Sequence, residues 1–457
     1  MAHVGSVISS AETPDRTKPS FSAQYLTTTL LWSPRKEIAV DGTGTGRETS
    51  EVNAPTPSAH PGLTWRAGMW FALLAILISR RPDAFLLPQF WAEDFLFLVE
   101  AERDGLASLF APKAGYLHLI PRVLAWLATP LDPFLQPAFF LAGSLAVVVA
   151  VLAACLSQRH DLPAKLGLAF TVVLVPHTGE VFFNPTNAQW FGALALLLTA
   201  FKRDPRGAAD WSVDGITLLL AGLSGPFVLF LLPLFLHRVW SRRTRASLIL
   251  LAGAAVATGL QLWHVIQTNL EPELQGPFSA TLLAANVSFR LPVTLMLGSA
   301  AGAFLGQPLV LAIGATATLL GLAAVLRSSR HRTEMLLLLA VIGLLLVSTA
   351  IRKRFDLWMF GDSWNGDRYF FIPKVILIWI ALMLAADRGR PFVRSAAGLL
   401  LMTGLVLNSP LYRFKPYTDL GWYALCPDIR AGRKVTVKVN PDWTFHYQRH
   451  GVTDGPF

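Results

Sequence analysis

MLLLLAVIGLLLVSTA, residues 335–350, holds sixteen residues without one charge, and this run indicates the class of the whole chain. A transmembrane helix needs about 20 predominantly apolar residues. Similar apolar runs recur along the chain, separated by short basic segments. They lie at about 67–79, 134–156, 166–176, 188–201, 215–223, 226–236, 248–266, 307–326, 334–350, 371–386 and 395–408. The pattern predicts an all-α, polytopic helical membrane protein with about eleven transmembrane helices.

The composition agrees with a membrane protein and argues against other classes. Of the 457 residues, 53% are hydrophobic and 15% are charged, whereas soluble proteins carry about 25% charged residues. The apolar runs are continuous, which excludes the alternating pattern of a β-barrel. The net charge of +10 lies mostly in short loops, so no nucleic-acid partner is predicted. Cys155 and Cys426 fit neither a disulfide framework nor a metal-binding spacing.

The basic residues between the runs predict how the chain is oriented. Five short loops carry most of them, and such loops face the cytoplasm. The five groups are Arg159 and Lys165; Lys202, Arg203 and Arg206; Arg238, Arg242, Arg243 and Arg245; Arg327, Arg330 and Arg332; and Arg388, Arg390 and Arg394. The alternate loops at 177–187, 224–226 and 267–306 contain Arg290 alone. The N-terminus is therefore expected inside and the C-terminus outside.

The runs also divide the chain into three parts. Residues 1–64 are rich in Ser, Thr, Pro and Gly, which predicts a disordered cytoplasmic tail without a cleavable signal peptide. Residues 65–408 form the transmembrane domain, with a long first outer loop at 80–133 and a re-entrant or interfacial helix at 291–305. Residues 409–457 are expected to form a small extracytoplasmic segment with a short alternating strand at 435–439.

Two adjacent acids, Glu93 and Asp94, begin the first outer loop just after the first run. Carboxylates beside a bilayer are costly and are usually kept for transport or chemistry. Apolar residues 95–98 follow, so the acids are expected to open an interfacial helix, and residues 116–128 form a second one. The helix dipole favours an acidic residue at the N-terminus, and one acid is enough for that role. Glu93 is the candidate for that structural role, and Asp94 is the candidate functional acid.

The second outer loop reads PHTGEVFFNPTNAQW at 176–190 and is rich in polar side chains. Glu180, Asn184 and Gln189 suit a site that forms hydrogen bonds with sugar hydroxyls. Asn187 either joins that site or caps the following helix. His177 and Glu180 are three residues apart, but two ligands are weak evidence for a metal. No metal site is predicted, and binding of a divalent ion is left open as an alternative. Residues 223–227, with Gly225-Pro226, predict a structural turn.

The late outer loop holds basic residues that oppose the orientation rule. It begins with Arg352, Lys353 and Arg354 and ends with Arg368 and Tyr369. Arginine binds phosphate through a planar, bidentate fork, and lipid phosphates lie at this depth. Arg368 is the preferred phosphate ligand and Arg354 the second. The alternative is that these cations pair with Asp356, Asp362, Asp367 or lipid headgroups.

These residues together suit one reaction. Arginines would hold the phosphate of a lipid-phosphate sugar and stabilise the charge that develops as it leaves. A carboxylate would take the proton of the incoming acceptor hydroxyl as general base. The chain has no Gly-rich phosphate loop, so no soluble nucleotide donor is needed.

The layout of 67–408 resembles the GT-C superfamily of integral-membrane glycosyltransferases. The resemblance rests on the short first span, the acid pair opening a long outer loop and the many short later spans. It implies a polyprenyl-phosphate sugar donor, with Asp94 as catalytic base and Glu93 as second choice. It also implies that Arg368 binds the donor phosphate beside Tyr369. This chain lacks the large soluble C-terminal domain of some members, which leaves acceptor recognition open.

Two further stretches are similar to uncharacterised bacterial membrane proteins of this type. They are 115–122, with Gly115, Tyr116, His118 and Arg122, and 184–190. Tyr116, His118 and Tyr369 join the implied substrate-binding residues, and Arg122 joins the phosphate-binding ones. The implied partners are membrane lipids, the lipid-linked donor and an envelope glycan, lipid or protein acceptor. The implied location is the bacterial cytoplasmic membrane, and no cofactor is required.

Two other classes of function remain open. A transporter or flippase of lipid-linked sugars is expected to show internal repeats and charges within its spans. The sequence shows neither, because the core spans are nearly free of acids and bases. A non-catalytic membrane protein of envelope biogenesis has no need of the acid pair.

Overall fold

A computed structural model describes residues 63–268, 278–328, 330–353, 359–362 and 364–449 of the chain. Most of these residues are helical, as predicted. The helices are α1 Leu63–Arg80, α2 Asp83–Leu86, α3 Ala92–Asp104, α4 Leu119–Ala128, α5 Gln136–Leu156, α6 Lys165–Leu174, α7 Ala188–Phe201, α8 Ala208–Gly222, α9 Phe227–Arg242, α10 Arg245–Gln267, α11 Ala280–Ser288, α12 Thr294–Phe304, α13 Gln307–Arg327, α14 Arg332–Lys353, α15 Phe371–Ala385, α16 Pro391–Leu407 and α17 Trp422–Arg430. The predicted tail falls almost entirely outside the described residues.

Each of the apolar runs lies on a helix: α1, α5–α10 or α13–α16. Among the described residues, six helical stretches are long and apolar enough to cross a membrane, judged by length and composition. They are Gln136–Leu156, Arg245–Gln267, Ala280–Ala300, Gln307–Arg327, Arg332–Lys353 and Asp367–Ala385. The chain is therefore a helical, membrane-associated protein.

The stretch Ala280–Ala300 contains the first part of the segment 291–305, which is predicted to be re-entrant or interfacial. It bends at a π-helical turn, Phe289–Val293, and again at Gly298, which has φ 81° and ψ 155°. Beyond the first bend, the Thr294 carbonyl accepts a 2.9 Å hydrogen bond from the Asn408 amide, just past the C-terminal end of α16. The bends and this contact at a helix end fit a re-entrant course, which stays a prediction.

The main core surrounds α7, which is buried along nearly its whole length. It packs against α5, α8 and α9. Other helices present large apolar side chains to the surroundings, such as Val256, Leu319 and Leu399, each about two-thirds exposed (64%, 67% and 65%). Exposed apolar faces of this kind are unusual on soluble monomers and agree with contact with lipid.

A polar residue of α10 ties two loops together at one end of the helices. The Gln261 carbonyl oxygen accepts from the Leu117 amide at 2.9 Å, and the Gln261 amide donates to the Gly225 carbonyl at 3.1 Å. The predicted turn between α8 and α9 is confirmed. A buried amide in an apolar helix needs such partners, so Gln261 fixes residues 115–118 beside the turn.

Both helices predicted in the first loop are present as α3 and α4. Glu93 and Asp94 lie in the first turn of α3, and Trp126 and Leu127 form the more exposed side of α4. The predicted strand is also confirmed: β1 (Val435–Val439) pairs antiparallel with β2 (Trp443–Tyr447). This hairpin is the one departure from an all-α fold within the described residues.

The C-terminal segment packs on the first loop. Trp422 of α17 and Tyr447 of β2 share an aromatic cluster with Phe90 and Phe95. The Trp422 indole N–H donates to the Pro133 carbonyl at 2.9 Å. Aromatic pairs of this kind stabilise packing beyond the area they bury, so the segment is a fixed part of the same body as the acid pair.

Candidate functional site

The candidate site is centred on the start of α3, where four segments meet. The other three are residues 114–118, the loop 175–187, and the 3₁₀ turn Asp367–Phe370 together with the end of α14. Most of the residues singled out in the sequence belong to these segments.

Asp94 is buried, with 2% of its surface exposed. One carboxylate oxygen, Oδ1, accepts hydrogen bonds from the Thr186 amide (2.7 Å) and hydroxyl (2.6 Å). Burial raises the pKa of Asp94 from 3.8 to about 8, although the bonds from Thr186 and the Trp91 backbone oppose the rise. Its proton is therefore exchangeable near neutral pH, as suits a general base.

Glu93 is half-buried and lies in the same cluster. It is close enough to Asp94, Glu180 and Arg368 to act on all three electrostatically. It makes no capping bond: Trp91 holds the N-cap position, and its backbone approaches Asp94 instead. The structural role expected for Glu93 therefore falls partly to Asp94, whose position resembles the third residue of a capping box.

Glu180 and Arg368 form an ion pair beside the acids. Glu180 Oε1 lies 2.5 Å from Arg368 Nη1, and both side chains are partly exposed. The Arg368 guanidinium also lies 5.2 Å from the centre of the Tyr369 ring. Burial raises the pKa of Glu180, and the charge of Arg368 opposes this. In this arrangement Glu180 holds the cation that was expected to bind phosphate.

A second arginine, Arg352, approaches from the end of α14. Its guanidinium lies 5.7 Å from the centre of the Tyr116 ring and donates to the Ala114 carbonyl at 2.9 Å. The Tyr116 hydroxyl is near Arg352, Arg368, Tyr369 and Gln189, and burial raises its pKa. The sequence pointed instead to Arg354, which lies outside the described residues.

Gln189 lies at the edge of this cluster, on the first turn of α7. Its side chain is buried against Gly225, where φ is +85° and a Cβ would overlap the Gln189 carbonyl oxygen. Only glycine fits this position without displacing the amide. The turn at 223–227 therefore also shapes the site.

Asn184 and Asn187 use their amides to hold the loop itself. Both donate to the Glu180 carbonyl, at 2.8 and 3.1 Å. The Asn187 carbonyl oxygen accepts from the Trp190 indole at 3.2 Å. Asn187 occupies the N-cap position of α7, but its side chain makes no capping bond, so that alternative is wrong. Contact of either amide with substrate stays a prediction.

His118 and Arg122 lie deeper, between α3 and α4. The His118 ring stacks on Tyr116 at 4.5 Å, and burial lowers its pKa to about 3, so the ring is neutral. Arg122 pairs with Glu100 at 2.8 Å and is 1% exposed. The structure thus places His118 beside the cluster, and Arg122 forms its ion pair with Glu100 of α3.

A buried polar network that the sequence did not reveal fixes the turn carrying Arg368. Asp367 accepts from Lys374 Nζ at 2.6 Å and from the Thr178 amide at 2.9 Å. Lys374 Nζ also donates to the Pro176 carbonyl at 3.1 Å. His177 Nε2 lies 3.4 Å from Asp367, and burial lowers the pKa of His177 to about 4. One signal was present: a lysine in an apolar run, two helical turns after an acid.

This network separates the two residues considered for a metal. His177 faces Asp367 and Glu180 faces Arg368. No group of three His, Cys, Asp or Glu side chains is placed to hold a metal ion in the described part of the chain.

An apolar cavity of about 1400 Å³ lies between α6 and α13–α16. Leu291, Leu346 and Leu377 line it, and they belong to the same hydrophobic cluster as Tyr369 and Phe370. The cavity therefore adjoins the turn that carries Arg368.

Comparison with models of known families, with curated proteins and with solved structures gives no significant match to this chain. Because a fold alone does not define an activity, the function must be argued from the chemistry of the site.

Proposed function

We propose that this protein is a membrane glycosyltransferase of the GT-C type. It transfers a sugar from a polyprenyl-phosphate donor to an envelope acceptor, on the extracytoplasmic face of a bacterial cytoplasmic membrane. The observation that carries the proposal is the grouping of the acid pair, in which Asp94 is buried and has a pKa of about 8, with two arginines and two tyrosines next to an apolar cavity. The eleven crossings and the outward orientation are part of the same proposal.

Asp94 is the proposed general base. A base works best when its pKa is close to the working pH, and burial gives Asp94 that property. Thr186 fixes the carboxylate in one orientation. Asp94 takes the proton of the acceptor hydroxyl, whose oxygen forms the new bond to the anomeric carbon. Glu93 is the alternative base, favoured by its greater exposure.

Arg368 and Arg352 are the proposed donor phosphate ligands. Both lie near the Tyr116 hydroxyl, so a phosphate placed there faces both guanidinium groups. It would replace Glu180 as the partner of Arg368. As the bond from the anomeric carbon to the phosphate oxygen breaks, the phosphate keeps the electron pair and the arginines stabilise its charge. The apolar cavity takes part of the prenyl chain.

Binding of polyprenyl phosphate alone to the purified protein, measured by native mass spectrometry, tests the phosphate site. Arg368→Ala removes a charge-assisted contact, so we expect affinity to fall about tenfold or more. The matched control is Arg433→Ala, since Arg433 is an exposed arginine that pairs with Asp428 in the C-terminal segment. Equal affinity of both variants would remove Arg368 from the site.

One observation favours a second candidate, a flippase of lipid-linked sugars. Two of the candidate spans contain buried charged residues, Arg290 and the Asp367–Lys374 pair. The sequence had suggested that the spans were nearly free of charge, and intramembrane charges are typical of transport pathways. Sugar transfer in detergent micelles, where no compartments exist, would support the enzyme. Movement of lipid in liposomes without transfer would support the flippase.

A further inference from the structure

The C-terminal segment returns to the acid pair through Tyr417. The Tyr417 ring lies 6.0 Å from the Trp91 ring, at an interplanar angle of 44°. Both side chains are half-buried, so each keeps an accessible surface. The two rings come from opposite ends of the described chain and form one aromatic corner.

Several contacts hold Tyr417 in this place. Its amide donates to Asp83 Oδ2 at 2.9 Å, and its hydroxyl donates to the Phe182 carbonyl at 3.3 Å. The Arg81 guanidinium lies 4.2 Å from the ring centre, within the range of a cation–π contact. The ring is therefore positioned before any ligand arrives.

Asn440 fixes the surrounding backbone. Its side chain exchanges hydrogen bonds with the Thr418 backbone in both directions, at 2.9 and 3.0 Å, and its backbone N–H donates to the Phe90 carbonyl at 3.2 Å. These bonds join the residue after Tyr417 to the residue before Trp91. A rigid site costs less entropy when it binds a ligand, so the corner is preorganised.

The corner adjoins the proposed base. Trp91 immediately precedes α3, and its backbone approaches the Asp94 carboxylate. Burial raises the pKa of the Tyr417 hydroxyl, and the charge of Asp94 adds to this effect, which places the two groups close together. A molecule that rests on the two rings would therefore lie next to the Asp94 carboxylate.

We propose that Trp91 and Tyr417 form the acceptor subsite and that the acceptor is a saccharide. One face of a sugar ring carries C–H groups that pack on aromatic rings, while its hydroxyls need polar partners. The aromatic corner supplies the rings on which the C–H groups pack, and Asp94 supplies a polar partner for a hydroxyl. The inference rests on the proposed function for the role of Asp94. Among glycan, lipid and protein acceptors, it selects the glycan.

The test uses the full chain, purified in a detergent without sugar groups, because a maltoside headgroup would compete. The probes are methyl glycosides of glucose, galactose, mannose and arabinose, with binding followed by saturation-transfer NMR. We expect at least one of them to bind. Tyr417→Leu should weaken binding about three- to tenfold, the loss expected for an aromatic contact. Tyr417→Phe keeps the ring and should stay within about twofold.

Tyr423→Leu is the matched control. Tyr423 belongs to the same segment, but its ring faces Phe134 and its hydroxyl bonds the Pro88 carbonyl at 2.8 Å. Its loss should leave saccharide binding unchanged. Trp91→Leu is the second variant if Tyr417→Leu does not fold, and it should weaken binding similarly. Absence of binding by wild type at about 10 mM, or equal binding by the Tyr417→Leu and Tyr423→Leu proteins, would overturn the proposal.

Polyprenyl phosphate binding, measured on the same samples, separates the two proposals. Saccharide binding that depends on Tyr417, without polyprenyl phosphate binding, would support this subsite and contradict the proposed donor. The reverse result would leave the donor site in place and overturn the saccharide subsite.

Discussion

At the scale of single residues, Asp94 is a buried acid whose pKa lies close to neutrality. Its folded pKa of about 8 lies above the ordinary 3.8, so the folded protein holds the proton more tightly than the unfolded chain does. The stability associated with that proton is fully present below about pH 4 and is lost as pH rises to about 8. Asn needs no proton. We therefore expect Asp94→Asn to gain stability relative to wild type across this range.

The hydrogen bonds from Thr186 lower the pKa of Asp94, so a change at Thr186 should alter the pH profile of sugar transfer. The Thr186 hydroxyl stabilises the charged carboxylate, so Thr186→Val should raise the pKa of Asp94 further. A base acts when deprotonated, so the rising limb of rate against pH should move upward by roughly one pH unit. The control is Thr178→Val in the same loop, where it is the backbone amide that contacts Asp367. Identical profiles for both variants would contradict the role of Thr186.

At the scale of elements, the start of α15 and the loop 175–187 behave as one unit. Asp367, Lys374 and the backbone of 176–178 form the joint between them. That joint holds the turn with Arg368 against the loop with Glu180. The joint therefore stabilises the fold and also fixes the geometry of the Glu180–Arg368 ion pair.

Lys374→Met tests this joint. The change leaves Asp367 buried without its 2.6 Å partner, and such losses cost about 3–5 kcal/mol. We expect the melting temperature to fall by about 5 °C or more. Adding Asp367→Asn should recover part of the loss. Lys165→Met, which alters a lysine bonded to the Ser157 carbonyl at 2.7 Å, should have a small effect, and equal effects of the two lysines would contradict the account.

Elements were largely predictable from the sequence, because hydrophobic runs and turn residues are local signals. Every apolar run lies on a helix, the turn at Gly225-Pro226 is present, and the alternating strand at 435–439 is confirmed. The side-chain partners were harder to predict. The Asp367–His177 contact spans 190 residues and the Trp91–Tyr417 contact spans more than 300, and no local pattern specifies which distant loops meet.

At the scale of the whole molecule, the site is assembled from segments that lie far apart along the described chain. The acid pair follows α1, the arginines belong to α14 and the turn before α15, and the aromatic corner needs the C-terminal segment. The apolar cavity lies beside the turn that carries Arg368. In the two proposals, a lipid-linked donor in the cavity and a saccharide acceptor on the aromatic corner would meet at Asp94.

In the proposed reaction, this protein adds a sugar to the envelope through Asp94. The direct measurement is mass spectrometry of envelope glycans from cells lacking the gene and from the same cells carrying wild type, Asp94→Asn or Glu93→Gln. We expect one sugar to be missing without the gene, restored by wild type, and still missing with Asp94→Asn although that protein is folded and abundant. Glycans that are the same with and without the gene, or restored by Asp94→Asn, would contradict the account.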